Sequence, residues 1–384
     1  MNVLSLFDGM SCGQQALERA GIKVDNYFAS EIDKYAIQVT MANYPNTTQL
    51  GSVVDVDGYS LPKIDILIGG SPCQSFSFAG KRKGMSTKDE QEILTLDHYL
   101  KLKSEGYEFE GQSYLFWEYM RLLNEVKPTY FLLENVMMGE KWEKVLSKAI
   151  GVNAIEINSA LVSAQNRRRL YWTNIGMEAS GFFGDLESII EQPKDREILL
   201  RDVLESEIDE KYFLSESGIN RITSYNNADR SLDNTDKSLC LAAGYHKQGR
   251  DNQLIVHNTM PRSGDPKKGG TGPLSRTDGK TYCLDTGNTN AVEIKGGDYR
   301  YDEGFRWRDN NKTGALLTSL TADNLVKISN AFSRIRRLTP IECERLQTVK
   351  DNYTNHVSDS QRYKMLGNGW TVEVITHIFK YIKQ

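Results

Sequence analysis

The fold class of this chain is decided by the stretch Val3–Gly13, which reads VLSLFDGMSCG. Its first five residues predict a short apolar strand, and a loop of mostly small residues follows. Helical spacing begins at Gln14 and stops at Gly21, a residue type that commonly ends helices. A buried strand, a tight loop and a helix in this order are typical of the first unit of an α/β domain.

The same alternation of strands and helices continues over about the first 175 residues. Ile64–Gly69 is apolar enough to be buried on both faces, as parallel strands are. Tyr114–Val126 has helical spacing and precedes Pro128. Further strands are predicted at Tyr27–Ser30, Tyr130–Leu133, Asn153–Asn158 and Leu170–Asn174. We therefore predict an α/β fold with a Rossmann-like, mostly parallel sheet.

The character of the chain changes near Gly176, where Gly, Asn, Asp, Thr and Ser become frequent and helical periodicity fades. Regular patterns return with the capping box Thr339–Glu342, with the helical stretch Asp359–Met365, ended by Gly367, and with Val372–Ile382. The predicted organisation is a first domain over residues 1–177, a smaller loop- and strand-rich domain over 178–332, and a return segment over 333–384 that completes the first domain.

Composition narrows the class of protein. Hydrophobic residues make up 39% of the chain, which supports a sizeable packed core. The apolar runs are far shorter than the ~18 residues of a membrane span, and no signal peptide pattern begins the chain. The five cysteines never occur at Cys-x-x-Cys spacing, and the five histidines do not complete a metal-ligand pattern. We expect no metal and a reducing, cytoplasmic location.

The net charge of the chain gives little information about its binding partners. The formal net charge of −4 does not suggest a generic binder of nucleic acid. A nucleic-acid interface needs local positive charge, however, and basic clusters occur at Lys81–Lys83, Arg167–Arg169 and Arg334–Arg337. Each of these clusters is also compatible with an ordinary solvated surface.

Chemistry-bearing residues follow the predicted strands, at the sheet edge where open α/β sheets bind ligands. The loop after the first strand lacks the full G-x-G-x-x-G fingerprint of dinucleotide binding. Glu31 follows Gly9 by 22 residues, close to the ~20 expected of a carboxylate that binds ribose hydroxyls. Together these features favour an adenosine-type cofactor without a pyrophosphate.

Cys73 and Glu134 are the candidate reactive groups. Cys73 follows Pro72 in a turn after a buried strand, and such a turn would expose its sulfur as a nucleophile. Glu134 follows a very apolar strand, where partial desolvation favours the protonated carboxyl. Arg167 and Arg169 alternate before the next strand, so we expect both to point towards the site.

These motifs together resemble those of the cytosine-5 DNA methyltransferase family, of bacterial or phage type, and occur in the family's order. The matching segments are the cofactor loop Phe7–Gly13, the ribose acid Glu31, the nucleophile motif Pro72–Gln74, the motif Glu134–Val136, the Gln-x-Arg-x-Arg motif Gln165–Arg169, the bracing motif from Arg336 to Arg345, and the closing motif Gly367-Asn368. The resemblance spans residues 2 to about 177 and 334 to 382.

The resemblance implies a DNA (cytosine-5-)-methyltransferase that flips the target cytosine out of the duplex. Cys73 would attack carbon 6, Glu134 would protonate ring nitrogen 3, and Arg167 and Arg169 would support the target base and Glu134 electrostatically. The implied S-adenosyl-L-methionine site comprises Phe7, Asp8, Gly9, Met10, Cys12, Glu31, Ile32, Ser52, Val53, Pro72, Asn368 and Trp370. The domain over 178–332 would be the target recognition domain.

Three features depart from the family pattern. Ser52 stands where an acid often contacts the adenine amino group, so that contact is in doubt. The closing motif reads Gly367–Trp370 rather than Gly-Asn-Ser. About 28 residues, including the helix-like run Lys88–Lys103, separate Gly84 from Ser113. This segment is an insertion or a contact with DNA beside the target.

The alternatives and partners follow from the same residues. An RNA cytosine methyltransferase would need no long middle domain, because that domain suits the reading of duplex sequence. An inactive binding module would not need Cys73 and Glu134, and an enzyme for free pyrimidine nucleotides would need no recognition domain. We expect double-stranded DNA as substrate, a monomer on DNA, no membrane, and a restriction endonuclease, if present, acting separately. Phage and solitary enzymes also fit.

Overall fold

A computed structural model of the chain describes most of the first domain and parts of the middle region. The described residues are 1–72, 85–180, 185–215, 237–238, 240–241, 243, 254–260, 274–276, 294–300, 304–307, 326–328 and 333–383. Cys73, the nucleophile predicted from sequence, lies outside the described residues, as do the basic cluster at residues 81–83 and Gly84.

A seven-stranded sheet forms the centre of the first domain, with strand order β3-β2-β1-β4-β5-β7-β6. Its strands are β1 (Asn2–Leu6), β2 (Asn26–Ser30), β3 (Thr48–Gln49), β4 (Ile66–Gly69), β5 (Tyr130–Val136), β6 (Ile155–Asn158) and β7 (Arg168–Thr173). β1 pairs in parallel with β2 and β4, and β4 with β5. β7 runs antiparallel to both of its neighbours, β5 and β6. The Rossmann-like, mostly parallel α/β fold predicted from sequence is confirmed.

Helices connect these strands and return at the end of the chain. They are α1 (Cys12–Arg19), α2 (Lys34–Asn43), α3 (Leu96–Ser104), α4 (Phe116–Val126), α5 (Glu140–Ile150), α6 (Leu200–Val203), α7 (Pro340–Leu346), α8 (Asp359–Asn368) and α9 (Val372–Phe379). The Asp33 side chain accepts a hydrogen bond from the Tyr35 N–H and so caps α2. Gly21 follows α1 with φ of +74°, as expected of a residue that ends a helix.

The core lies between the sheet and the helices that cover it. Every residue of β4 is buried, as predicted for a parallel strand with helices on both faces. Trp117 and Tyr119 of α4, together with Trp172 of β7, are fully buried in the same cluster. Large aromatic side chains in the interior contribute much of the apolar area that stabilises a domain. This packing fixes the carboxyl ends of the central strands.

The segment between Met85 and Gln112 is packed into this core, and its helix is shorter than the sequence suggests. The prediction of a helical run over Lys88–Lys103 is wrong for its first half, because α3 begins at Leu96 after the capping side chain of Thr95. The residues before α3 instead form β-bridges, one of them between Ser86 and Glu92. The buried hydrophobic members of this segment are Met85, Ile93, Tyr99 and Leu102.

Two other local predictions need correction. Gly367 does not end α8, which continues to Asn368 because the Gly369 N–H still bonds back to the Met365 carbonyl. Glu134 does not follow β5 but lies within it, since β7 pairs with β5 beyond that residue, and Glu134 is the register partner of Tyr171.

The chain divides into two compact units. The first comprises residues 1–198, 239–247 and 340–384, and the second comprises 199–238 and 248–339. The first unit thus extends beyond residue 177, because the hairpin of β8 (Met177–Ser180) and β9 (Asp185–Ser188) leads into a segment that bonds to it. In that segment the Arg196 N–H donates to the Leu161 carbonyl, and the Glu191 N–H donates to the Tyr381 hydroxyl.

The described part of the second unit is built of short antiparallel strands, besides α6. One sheet has the order β11-β10-β15 and another the order β13-β12-β14. The strands are β10 (Leu254–Met260), β11 (Leu274–Arg276), β12 (Ile294–Arg300), β13 (Gly304–Trp307), β14 (Val326–Ile328) and β15 (Ser333–Arg337). These strands agree with the loop- and strand-rich character predicted for the middle region.

Candidate functional site

The candidate site lies at the carboxyl ends of β1, β2, β4 and β5. These strands are neighbours in the sheet and run in the same direction, so their last residues meet at one edge. This edge is where ligands of open α/β sheets bind. The structure therefore brings together Phe7–Gly13, Glu31, Gly70–Pro72 and Glu134.

The loop after β1 has an unusual backbone. Phe7, Gly9 and Ser11 all adopt left-handed conformations, with φ of 57°, 58° and 58°. Two of these residues carry side chains, which disfavour that region and need support from their surroundings. One support comes from β2, because the Asp8 N–H donates to the Ser30 carbonyl over 3.2 Å. The result is a tight turn whose backbone faces the sheet edge.

Glu31 fixes the relation between this loop and β2. Its Oε2 accepts the Gly9 N–H at 2.8 Å, and its Oε1 accepts the N–H groups of Ile32 and Asp33, each at 2.8 Å. The next side chain, Ile32, is apolar and yet 71% exposed. A carboxylate held in place beside an exposed apolar side chain matches a site for a ribose and a flat base.

Asp8 lies at the centre of a polar cluster below the loop. It accepts hydrogen bonds from the hydroxyl of Tyr27, at 2.8 Å, and from that of Ser11. Burial raises the pKa of Asp8 to about 6, although these hydrogen bonds oppose the rise. Asp8 thus holds a proton more readily than an exposed aspartate. Tyr27 gave no signal in the sequence beyond its place in a strand.

The loop after β3 borders the same edge. The Ser30 hydroxyl donates to the carbonyl of Gly51, which has φ of +76°. Ser52 is half-buried, whereas Val53 is buried and its carbonyl accepts from Arg121 Nη2 at 3.0 Å. Val53 therefore packs in the core, while the side chain of Ser52 is partly exposed.

Glu134 and Arg169 form an enclosed ion pair. Arg169 Nε lies 3.1 Å from Glu134 Oε1, and the side chains are only 14% and 12% exposed. The pair forms because β5 and β7 are antiparallel neighbours, which sets Val136 opposite Arg169. The guanidinium holds one carboxyl oxygen of Glu134, while the other, Oε2, faces Gly70.

Glycine at position 70 makes room for two of the predicted residues. A Cβ atom at Gly70 would lie 2.9 Å from Trp370 Nε1 and 3.2 Å from Glu134 Oε2. Next to it, the buried Ser71 hydroxyl accepts from Asn135 Nδ2 at 3.1 Å. Pro72 is half-buried and is the last described residue before Cys73. The described backbone thus leads the chain from β4 past Glu134 towards the predicted nucleophile.

Arg167 does not contact Glu134 but holds the closing motif. Its guanidinium donates to the carbonyl of Gly369 at 3.1 Å and to that of Gly367 at 3.3 Å. Arg167 precedes β7, so the alternation expected of a strand does not apply to it. The arrangement places Asn368 in an exposed position and leaves Trp370 half-buried beside Gly70.

Met10 and Cys12 are buried beneath this closing motif. A Cβ atom at Gly369 would lie 2.8 Å from Met10 Cε and 3.4 Å from Cys12 Sγ, so the two segments approach closely. Burial raises the pKa of the Cys12 thiol to about 12. Cys12 is therefore a protonated packing residue and no nucleophile at neutral pH.

Cys240 was not singled out from the sequence, yet it lies beside the arginines. Its Sγ is 3.4 Å from Arg167 Nη1 and 3.8 Å from Arg169 Nη2. The neighbouring Leu241 N–H donates to Gln165 Oε1 at 2.7 Å. Nothing local in the sequence could reveal these contacts, because they join residues more than 70 positions apart.

No helix in the described ranges is long and apolar enough to cross a membrane. Within the same part of the chain, His, Cys, Asp and Glu side chains form no group of three or more that could hold a metal ion.

Comparison with known proteins identifies the family. The family model for the C-5 cytosine-specific DNA methylase matches residues 1–384. The chain belongs to this family and is a DNA methyltransferase that acts at carbon 5 of cytosine, with S-adenosylmethionine as methyl donor. The resemblance that the motifs indicated is thereby confirmed.

Curated relatives cover almost the whole chain. The orphan methyltransferase M.SPRI of Bacillus phage SPR is 27% identical, over 99% of this chain and 97% of its own length. The type II methyltransferase M.NlaX of Neisseria lactamica is 25% identical, over 99% and 96%. The relatives thus include both an orphan and a type II methyltransferase.

Solved structures share the fold. The methyltransferase EhMeth of Entamoeba histolytica matches with a TM-score of 0.57 and 14% identity, over 99% of this chain and 97% of that chain. A mutant DNMT2 of Spodoptera frugiperda matches with a TM-score of 0.56 and 19% identity, over 99% and 98%. At such identities the likeness establishes the architecture alone.

Proposed function

We propose that this chain is a sequence-specific DNA methyltransferase that attacks a flipped-out cytosine with the thiolate of Cys73. The observation that carries the proposal is the enclosed pair of Glu134 and Arg169, which lies beside the segment Gly70–Pro72 that leads to Cys73. A fixed carboxyl group next to a nucleophile is the pairing that addition to a pyrimidine ring requires.

In the proposed reaction, Cys73 sulfur forms a bond to carbon 6 while Glu134 gives a proton to ring nitrogen 3. Carbon 5 becomes electron-rich and forms a bond to the donor's methyl carbon as the sulfur–methyl bond breaks. A base, in our proposal a water molecule, then removes the carbon 5 proton. The electron pair of that carbon–hydrogen bond re-forms the double bond, and Cys73 leaves as a thiolate while nitrogen 3 returns its proton.

Arg169 orients Glu134 in the proposed reaction. Its guanidinium holds one carboxyl oxygen at 3.1 Å, which leaves the second oxygen, Oε2, to face Gly70 and the site. When Glu134 has given up its proton, the adjacent positive charge stabilises the carboxylate in surroundings that contain little water. Arg167 acts indirectly, because its guanidinium donates hydrogen bonds to the carbonyls of Gly367 and Gly369.

The residues at the sheet edge fit S-adenosylmethionine, which supplies an electrophilic methyl group when bound. The left-handed turn at Phe7–Ser11, the anchored carboxylate of Glu31 and the exposed side chain of Ile32 suit an adenosine with free ribose hydroxyls. We propose that the donor is held by Phe7, Asp8, Gly9, Met10, Cys12, Glu31, Ile32, Ser52, Val53, Pro72, Asn368 and Trp370. The buried members Met10, Cys12 and Val53 would contribute backbone groups and shape.

We further propose that residues 178–332 recognise the target sequence, and that residues 1–177 and 333–384 form the catalytic domain. The short antiparallel strands of the second unit support this division of labour, because strands and their loops can present side chains to a DNA groove. In our proposal the enzyme acts as a monomer on double-stranded DNA in the cytoplasm, and any cognate restriction endonuclease is a separate protein.

Sequencing of bisulfite-treated DNA from cells that express the chain tests the function. We expect 5-methylcytosine at one short sequence motif with the wild-type chain and none with Cys73→Ser, whose hydroxyl is a poor nucleophile. Purified enzyme should transfer labelled methyl groups to duplex DNA and not to transfer RNA. Methylation of RNA alone, or equal methylation by both chains, would refute the proposal.

A further inference from the structure

The Met10 carbonyl lies in the strained part of the proposed cofactor loop. It lies between Gly9 and Ser11, both left-handed, and α1 begins only at Cys12. The Tyr353 hydroxyl donates a hydrogen bond to this carbonyl at 2.7 Å, and Tyr353 is only 4% exposed. A residue 343 positions away thus binds the middle of the loop that follows β1.

The segment that carries Tyr353 is itself held from two sides. The fully buried carboxylate of Glu344 accepts the N–H groups of Asn352, at 2.6 Å, and of Thr354, at 2.8 Å. Arg362 Nη2 lies 3.1 Å from the same carboxylate. The Tyr353 carbonyl also accepts from Asn43 Nδ2 of α2 at 3.0 Å. The phenol is therefore presented to Met10 from a rigid support.

We propose that Tyr353 is a positioning residue for methyl donor binding, acting through the Met10 carbonyl. The inference rests on the proposed function of the loop Phe7–Cys12 as the cofactor site. A loop with left-handed residues at Phe7, Gly9 and Ser11 is strained unless its surroundings determine it. The bond from Tyr353 fixes that conformation before the donor arrives, which lowers the entropy lost on binding.

The hydroxyl, and not the ring, carries this role. Burial raises the pKa of the Tyr353 phenol, so it remains a hydrogen-bond donor throughout the range of an enzyme assay. Its ring packs against that of Tyr44, with centroids 6.4 Å apart, and phenylalanine would preserve this packing. Loss of the hydroxyl would leave the Met10 carbonyl without the Tyr353 donor in a buried place.

The test compares Tyr353→Phe with Tyr44→Phe. Tyr44 is a matched control because its hydroxyl binds Glu18 at 3.2 Å, on the outer side of the same aromatic pair. We expect Tyr353→Phe to raise the KM for S-adenosylmethionine and the Kd for S-adenosylhomocysteine about five- to tenfold, the effect of one buried hydrogen bond. The kcat and the KM for DNA should stay within about twofold, and Tyr44→Phe should change none of these constants.

A general loss of structure would instead lower kcat and raise both KM values together, and that outcome would overturn the inference. An unchanged Kd for S-adenosylhomocysteine in Tyr353→Phe, with the wild type binding normally, would overturn the inference and leave the proposed function standing. A wild-type chain that binds no S-adenosylhomocysteine would refute both. Calorimetric titration and steady-state kinetics on the full-length chain distinguish the three results.

Discussion

Arg169 Nε lies 3.1 Å from Glu134 Oε1, and this ion pair is largely closed to solvent. An enclosed pair is screened little by salt, so each partner depends on the other for its orientation. Arg168, the preceding residue, points the other way and pairs at 2.5 Å with Glu156 on the surface. The two neighbouring arginines offer a direct comparison between a buried and an exposed ion pair.

Replacement of Arg169 by glutamine should lower the rate of methyl transfer by about 100-fold or more, because Glu134 loses the charge that orients it. Arg168→Gln should leave the rate within about twofold, since exposed ion pairs contribute little. Single-turnover transfer of labelled methyl groups to DNA measures both. Equal rates in the two variants would show that the ion pair has no catalytic role.

DNA that carries 5-fluorocytosine at the target should trap a covalent complex with the wild-type chain, since fluorine cannot leave as a proton does. Cys73→Ala should form no such complex. Cys343→Ala is the control, because Cys343 is buried in α7 among core residues. Denaturing gels and mass spectrometry of the trapped peptide give the measurement. An adduct on a peptide without Cys73 would identify a different nucleophile.

Gly70→Ala should lower kcat about tenfold, because the added methyl group would lie within 3.2 Å of both Trp370 Nε1 and Glu134 Oε2. Gly139→Ala is the matched control, since a Cβ atom there would meet no atom within 4 Å. Steady-state kinetics with thermal melting separates a displaced site from a destabilised fold. Normal activity in Gly70→Ala would mean that Trp370 and Glu134 can move aside without loss of function.

Stability should depend on pH through Asp8. Its pKa in the folded chain is about 6, above the ordinary aspartate value of 3.8, so the native state binds the proton more tightly than the unfolded state. The stabilising contribution of the protonated form is fully present below the unfolded pKa and is lost as pH rises through about 6. Compared with Asp8→Asn, the wild type should lose roughly 1 kcal/mol of unfolding free energy between about pH 5 and about pH 7.

Urea unfolding of both chains across that range measures the difference. The asparagine keeps an acceptor for the Tyr27 hydroxyl, which donates at 2.8 Å, so the pH-dependent part isolates the ionisation of Asp8. A difference between the two chains that does not change with pH would contradict the raised pKa.

Glu118 should matter for stability more than for catalysis. This fully buried carboxylate accepts from Arg121 Nε at 2.7 Å and from Lys103 Nζ of α3 at 2.5 Å. Glu118→Gln removes the carboxylate from Lys103 and Arg121, of which Arg121 keeps Glu125 at 2.8 Å, and should cost about 1–3 kcal/mol of unfolding free energy. Glu105→Gln, at an exposed pair with Lys101, should cost less than about 0.5 kcal/mol. A loss of activity without a loss of stability in Glu118→Gln would contradict a purely structural role for Glu118.

The order of strands and helices could be read from the sequence, because apolar periodicity reflects burial and burial is repeated along each element. The placement of Phe7–Gly13, Glu31 and Glu134 at one edge followed from the same pattern, since parallel strands end together. The extent of the helix near Lys88–Lys103 could not be read, because charged residues suit a helix and a packed loop alike. There the capping side chain of Thr95 and the bridge between Ser86 and Glu92 determine where α3 begins.

The sequence by itself determined the family, the fold class and the chemical groups, because each short motif can be recognised from its own residues and its place in the order. Only the tertiary structure decided which of those groups contact one another. Arg169 turns to Glu134 while Arg167 turns to the closing motif, and Tyr353 reaches the Met10 carbonyl. Such pairings join residues far apart in the chain, and their geometry arises from sheet register and packing, which local patterns do not encode.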